Sequence, residues 1–169
     1  MSHSVNNRVA LVTGGSKGIG KGIARVLAGA GAQVAITSRK LEDAQSAARE
    51  IGHGAIGLAA NVRDLVSLQK AVSDTAAHFG ALDILCANAG IFPQARLESM
   101  TSDEWDDMMD TNSKGTFHAV QAAIPALKKS DQGRIIINHQ SLALPRAIPA
   151  GATMAHRNLR NWVSCAQPR

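Results

Sequence analysis

Thr13-Gly14-Gly15-Ser16-Lys17-Gly18-Ile19-Gly20 is the stretch that decides the fold. It joins an apolar, β-branched run, Arg8 to Thr13 (RVALVT), to a segment, Gly18 to Ala30, in which Ile19, Ile23, Val26 and Leu27 recur at helical spacing. A glycine-rich turn alone is a weak signal. Between a buried strand and an amphipathic helix near the N-terminus, it reads as a turn shaped to approach an anion. Residues without Cβ let the backbone come close, and the helix start offers unpaired N–H groups and a partial positive charge. Gly14, Ser16, Lys17, Gly18, Ile19 and Gly20 are the candidate phosphate-binding residues.

Outward from this turn the chain keeps one rhythm. Gln33 to Ser38 reads as a second strand and Leu41 to Ile51 as a second helix; Ala55 to Val62 is a third strand, with Asp64 as N-cap of a helix through Phe79. Leu82 to Asn88 is a fourth strand, Ser102 to Lys129 a long helical stretch, and Gly133 to Ile137 a fifth strand. Alternation of this kind implies βαβ units, right-handed crossovers and helices on both faces of a parallel sheet. The expected fold is α/β: a Rossmann-type doubly wound parallel sheet of five strands over residues 1–137, followed by an irregular tail, 138–169.

Composition narrows the function classes. Of 169 residues, 45% are hydrophobic and 18% charged, as in an ordinary globular protein. No apolar run is long enough to cross a bilayer, and Met1 to Asn7 lacks the apolar segment of a signal peptide, so a cytoplasmic location and no membrane partner are expected. The net charge of +5 has a local origin. All 13 acids lie at or before Asp131, while Arg146, Arg157, Arg160 and Arg169 sit in a tail with no acid. With 3% aromatic residues there is no stacking platform either, so nucleic acid is not an expected partner. Cys86 and Cys165 have no metal-ligand spacing; no metal site is expected, and Cys86 reads as a small buried side chain.

The turn's spacing resembles the T-G-x-x-x-G-x-G motif of the short-chain dehydrogenase/reductase family, and further motifs follow in order. Asn88-Ala89-Gly90 resembles the family's N-A-G, Asn61-Val62 the pair near the adenine, and Asn112 the helix asparagine that holds a proton-relay water. Taken singly, Asn88 or Asn112 reads as a turn or capping residue; in this order the four identify the family over Arg8 to Ile137. The overall resemblance points toward 3-oxoacyl-carrier-protein reductases. It implies reduction of a carbonyl or acyl-thioester substrate by a nicotinamide cofactor, and an oligomer formed with full-length relatives.

The resemblance also bears on which cofactor. NAD-dependent relatives place an acid at the end of the second strand, on the ribose hydroxyls. Here that place holds Ser38-Arg39-Lys40, with no carboxylate until Glu42. A carboxylate would repel a 2′-phosphate, whereas a guanidinium grips it bidentately, and Lys17 adds a second cation. NADP(H) is the expected cofactor; the alternative is that Arg39 and Lys40 are a solvated pair at a helix start.

In the resembled family a Tyr protonates the carbonyl oxygen, a Lys four residues later lowers its pKa and holds the ribose, and a Ser orients the substrate. This chain has no tyrosine and no lysine after Lys129, so Asn112 alone matches the catalytic positions. Ser141, His139 and His156 read as bystanders, since the tail has no acid to orient a histidine. Reverse-translated and regrouped by one base, the tail from Ser141 permits ITGPAAGYPGWSHYGASKSAQLGFMRT, which contains Y-x-x-x-K as YGASK. Met154 followed by Ala155, and Trp162 followed by Val163, fix two of its glycines with no codon freedom. A frameshift between Ile137 and Gln140 is therefore expected, against the alternative of natural divergence.

Three functions follow in order: an oxidoreductase impaired by the missing Tyr and Lys, a non-catalytic nucleotide-binding remnant, and an interaction module pairing with a full-length relative through the sheet edge or the Ser102 to Lys129 helix. The tail's prolines interrupt helical periodicity, though 152–163 is compatible with a short helix. An uncovered fifth strand predicts poor solubility and marginal stability.

Overall fold

A computed structural model describes residues 4–92 and 97–138. Of the expected tail only Asn138 is described; His139, Ser141, His156 and the expected short helix lie outside the described residues. Five strands form one sheet in the order β3-β2-β1-β4-β5: β1 (Val9–Val12), β2 (Gln33–Ser38), β3 (Ile56–Ala59), β4 (Ile84–Ala87) and β5 (Arg134–Ile137). Every pairing is parallel. The expected doubly wound sheet is the one found.

The reason lies in the strand sequences. VALV and ILCA are buried on both faces, which a parallel sheet covered by helices on each side requires. Ala10, Val12, Val34, Ile36 and Cys86 face one way, against α1 (Gly18–Gly29) and α2 (Leu41–Ile51). Leu11, Ala35 and Leu85 face the other, against α3 (Leu65–Phe79) and α5 (Gly115–Leu127). The period of two along each strand sorts the core into these two layers.

Helix ends follow local chemistry. Asp64 accepts from Val66 N at 2.9 Å to start α3, and Gly80, at φ +88°, ends it. Thr101 and Glu104 close a capping box on α4 (Ser102–Met109). One expectation is corrected. The third strand is shorter than Ala55 to Val62: Ala55 N donates to the Gly52 carbonyl at 2.9 Å in the turn before it, and Asn61 N donates to Ser67 Oγ at 3.0 Å in the turn after it. The helical stretch from Ser102 is continuous, as expected, and holds a π turn at Asp110–Lys114 between α4 and α5.

Strand β5 pairs with β4 alone among the described residues, and Ile137 at its end is 44% exposed. At the opposite pole, Cys86 is 1% exposed and its burial pushes the thiol up to about 12. A thiolate is the reactive form, so with Cys165→Ser in place the native chain should resist a thiol reagent at neutral pH and react only on unfolding. Rapid modification of the folded chain would place Cys86 outside the core.

Candidate cofactor site

The turn after β1 is built from glycines that do different jobs. Gly14 sits at φ +65°, and a Cβ there would lie 2.8 Å from Ala89 Cα. A Cβ on Gly15 would meet Ile36 Cβ at 2.6 Å, and one on Gly20 would lie 2.4 Å from the Gly14 carbonyl oxygen. Gly18 needs its φ of +55° but has open space beside it. Gly14→Ala therefore combines left-handed strain with a backbone clash, whereas Gly18→Ala carries strain alone, on the order of 1 kcal/mol or more. Thermal melts should show the Gly14 variant falling further; an equal fall would mean that the turn yields at Ala89.

Helix α1 starts at Gly18 with no side chain capping it and no acid in its first turn. Its leading N–H groups and the positive end of its dipole are thus left to whatever lies in front. Lys17 and Ile19 are exposed there, Ser16 is half-buried, and Gly20 is buried against Asn88.

Asn88 ties the carboxyl ends of three strands together. Its Nδ2 donates to the carbonyls of Thr13 (3.1 Å) and Gly14 (3.4 Å), and its Oδ1 accepts from Asn138 Nδ2 at 2.8 Å. The buried Thr13 hydroxyl accepts from the backbone N–H groups of Asn88 (3.0 Å) and Ala89 (3.1 Å). The result is a crevice between β1 and β4, with α1 on one face and α5 on the other. Ligands of open α/β sheets bind at such a switch point.

The far wall is made by the π turn. Asn112 Oδ1 accepts from Ile91 N and its Nδ2 donates to the Ile91 carbonyl, both at 2.8 Å, so the amide is engaged in both directions. Thr116 Oγ donates to the Asn112 carbonyl at 2.7 Å. A π turn is rare and often marks a functional site, and this one presents Asn112. Between the walls lies a cleft of about 200 Å³.

Of the residues singled out in the sequence, the cleft gathers Gly14, Lys17, Gly18, Ile19, Gly20, Asn88, Ala89, Gly90 and Asn112. Ser16, Ser38, Arg39, Asn61 and Val62 do not line it. Ser38 and Arg39 end β2 on the same edge of the sheet, Ser38 half-buried and Arg39 exposed. No carboxylate among the described residues pairs with Lys17, Arg39 or Lys40. Asn61 Oδ1 accepts from Arg63 N at 3.2 Å, and Val62 is buried against Gly115. The sequence reading missed Ile91, Thr116 and Asn138, which line the cleft. It quoted Thr13 without giving it a role. Among the described residues no group of three His, Cys, Asp or Glu could hold a metal, and no helix is long and apolar enough to cross a membrane.

Comparison with known proteins agrees with this geometry. The sequence model of the family described as short chain dehydrogenase matches residues 8–151. A 3-oxoacyl-[acyl-carrier-protein] reductase of Escherichia coli K12 is 40% identical over 129 residues, covering 76% of this chain and 53% of that protein. Its counterpart in Staphylococcus aureus Mu50 is 40% identical over 131 residues. A short chain dehydrogenase from Burkholderia cenocepacia J2315, solved in complex with NADP, is 42% identical with a TM-score of 0.72, covering 80% of this chain and 56% of that one. A putative short-chain alcohol dehydrogenase from Sinorhizobium meliloti 1021 is 36% identical with a TM-score of 0.73, covering 79% and 54%. The chain spans about half the length of the relatives it matches.

Proposed function

The chain belongs to the short chain dehydrogenase family, and from that premise we propose that it carries the family's nucleotide-binding portion, which holds NADP(H) but lacks the groups that would use it. The observation that carries this reading is the cradle itself: Gly14 and Gly20 leave space only a residue without Cβ can leave, directly before an uncapped helix. A dinucleotide's pyrophosphate fits the charge and the close approach that this arrangement provides.

The roles divide along the sheet edge. The backbone from Gly14 to Gly20, with Ser16, holds the pyrophosphate, and Lys17 supplies a cation beside it. Ser38 and Arg39, which has no carboxylate partner among the described residues, receive the 2′-phosphate. Asn61 and Val62 bound the adenine, while Asn88, Ala89, Gly90 and Asn112 wall the nicotinamide side. When bound, the cofactor supplies hydride chemistry. The similarity to 3-oxoacyl-[acyl-carrier-protein] reductases supports a carbonyl or acyl-thioester substrate.

The chain's own chemistry stops short of turnover. It has no tyrosine, and its last lysine is Lys129, before β5. Residues 1–137 thus form the nucleotide-binding unit, and 138–169 a tail read from a shifted frame, in which YGASK is recoverable. Sequencing the gene across codons 137 to 141 tests the tail: the account expects the alternative frame to stay open past codon 169, and an early stop would refute it.

Binding is tested by thermal shift. A ligand at 100 times its Kd stabilises by about 2.7 kcal/mol, which for a chain of this size raises Tm by roughly 5–10 °C. NADP⁺ should do so, NAD⁺ at the same concentration should do less, and no shift with either would overturn the proposal.

A further inference from the structure

Helix α4 runs into the π turn through a cluster of carboxylates, Asp106, Asp107 and Asp110, with no basic residue in its own last turn. Lys114 pairs with Asp110. A second cation comes from the turn between β3 and α3. Arg63 donates Nε–H to Thr111 Oγ at 2.9 Å and Nη2–H to the Asp107 carbonyl at 2.7 Å, and it pairs with the Asp107 carboxylate. Its own backbone N–H is held by Asn61 Oδ1.

Val62 beside it docks on the start of α5. A Cβ on Gly115 would stand 2.7 Å from Val62 Cγ2, and His118 Nδ1 lies 3.2 Å from the Val62 carbonyl. Arg63 and Val62 therefore hold the helix on both sides of Asn112. An exposed Arg–Asp pair alone contributes little. The leverage comes from the fork, which spans a hydroxyl, a backbone carbonyl and a carboxylate at once, and a lysine cannot reproduce that reach.

We infer that Arg63 is a positioning residue: its guanidinium fixes Asp107 and Thr111, where α4 runs into the π turn, so that Asn112 closes on Ile91 and holds the far wall of the cleft. This rests on the NADP reading only in assigning the nicotinamide half to that wall. The mechanical coupling stands apart from it.

Amide hydrogen exchange on the full chain, wild type against Arg63→Ala and Arg63→Lys, reads the coupling directly. The Ile91 N–H donates to Asn112 Oδ1. In Arg63→Ala its exchange should quicken by about tenfold or more, while Val9 to Val12 in β1 change by less than about twofold. Arg63→Lys should recover little of the protection. Thr111→Val removes one acceptor, with a smaller selective effect in the same direction, and serves if the alanine variant does not fold.

In parallel, Arg63→Ala should weaken NADPH by roughly tenfold while leaving 2′,5′-ADP, which has no nicotinamide, nearly unchanged. An unchanged Ile91 amide, acceleration shared equally with β1, or equal loss of NADPH and 2′,5′-ADP would each overturn the inference. If the wild type binds neither nucleotide, the NADP reading fails while the exchange comparison still decides the role of Arg63.

Discussion

Given NADPH and a β-keto ester, the chain is expected to consume cofactor at the uncatalysed rate. A positioned general acid is worth about 10²–10⁴ in rate, and an unassisted tyrosine near pKa 10 would itself need a neighbouring cation to work at neutral pH. This chain has no tyrosine, and no lysine follows Lys129. Lys17 at the cleft is assigned to the pyrophosphate, and the neutral polar side chains there are already committed. Asn112 is bonded to Ile91 at both ends of its amide, Thr116 donates to the Asn112 carbonyl, and Asn138 donates to Asn88. The outcome is read as the decay of NADPH absorbance against a full-length relative. A rate clearly above background would mean that a group in the tail, such as His139 or His156, replaces the missing acid.

Arg39→Asp should weaken NADPH by about tenfold to a hundredfold or more relative to NADH. A hydrogen bond between charged groups is worth about 1.5–3 kcal/mol, and the substitution adds repulsion where attraction was lost. Arg39 is exposed and has no carboxylate partner among the described residues, so its charge is available to a ligand and its loss should not unsettle the fold. Paired titrations of NADPH and NADH against wild type and variant check this. An unchanged ratio of the two affinities would show that Arg39 is a solvated surface residue and that the 2′-phosphate is not read at this position.

What the sequence revealed depended on how local the cause was. Strand β1 announced itself because VALV is apolar throughout, and Asp64 announced α3 because capping is settled within a few residues. The glycine turn was legible for the same reason. The π turn at Asp110–Lys114 was not. Helical periodicity runs through it into α5, and its Asn112 bonds the Ile91 backbone, a contact 21 residues away in sequence. Arg63 was invisible as well, since its partners Asp107 and Thr111 meet it only once β3 and α4 are packed. Thr13 stood in the quoted motif, yet its task of receiving two N–H groups from Asn88 and Ala89 needs β4 beside β1. Asn138 required the same folded edge. Residues that make the turn could be read one by one; those that brace it are long-range partners and could not.

The claim at the centre of this account is that the nucleotide half of the site is complete without the chemistry that follows. Titration of NADPH fluorescence with the full chain tests it most directly. The account predicts a saturable enhancement, displaced by NADP⁺ and abolished in Gly14→Ala, that stays constant in time when a β-keto ester is added. No saturable change would contradict the cradle, and a decay on adding the ester would contradict the absence of turnover.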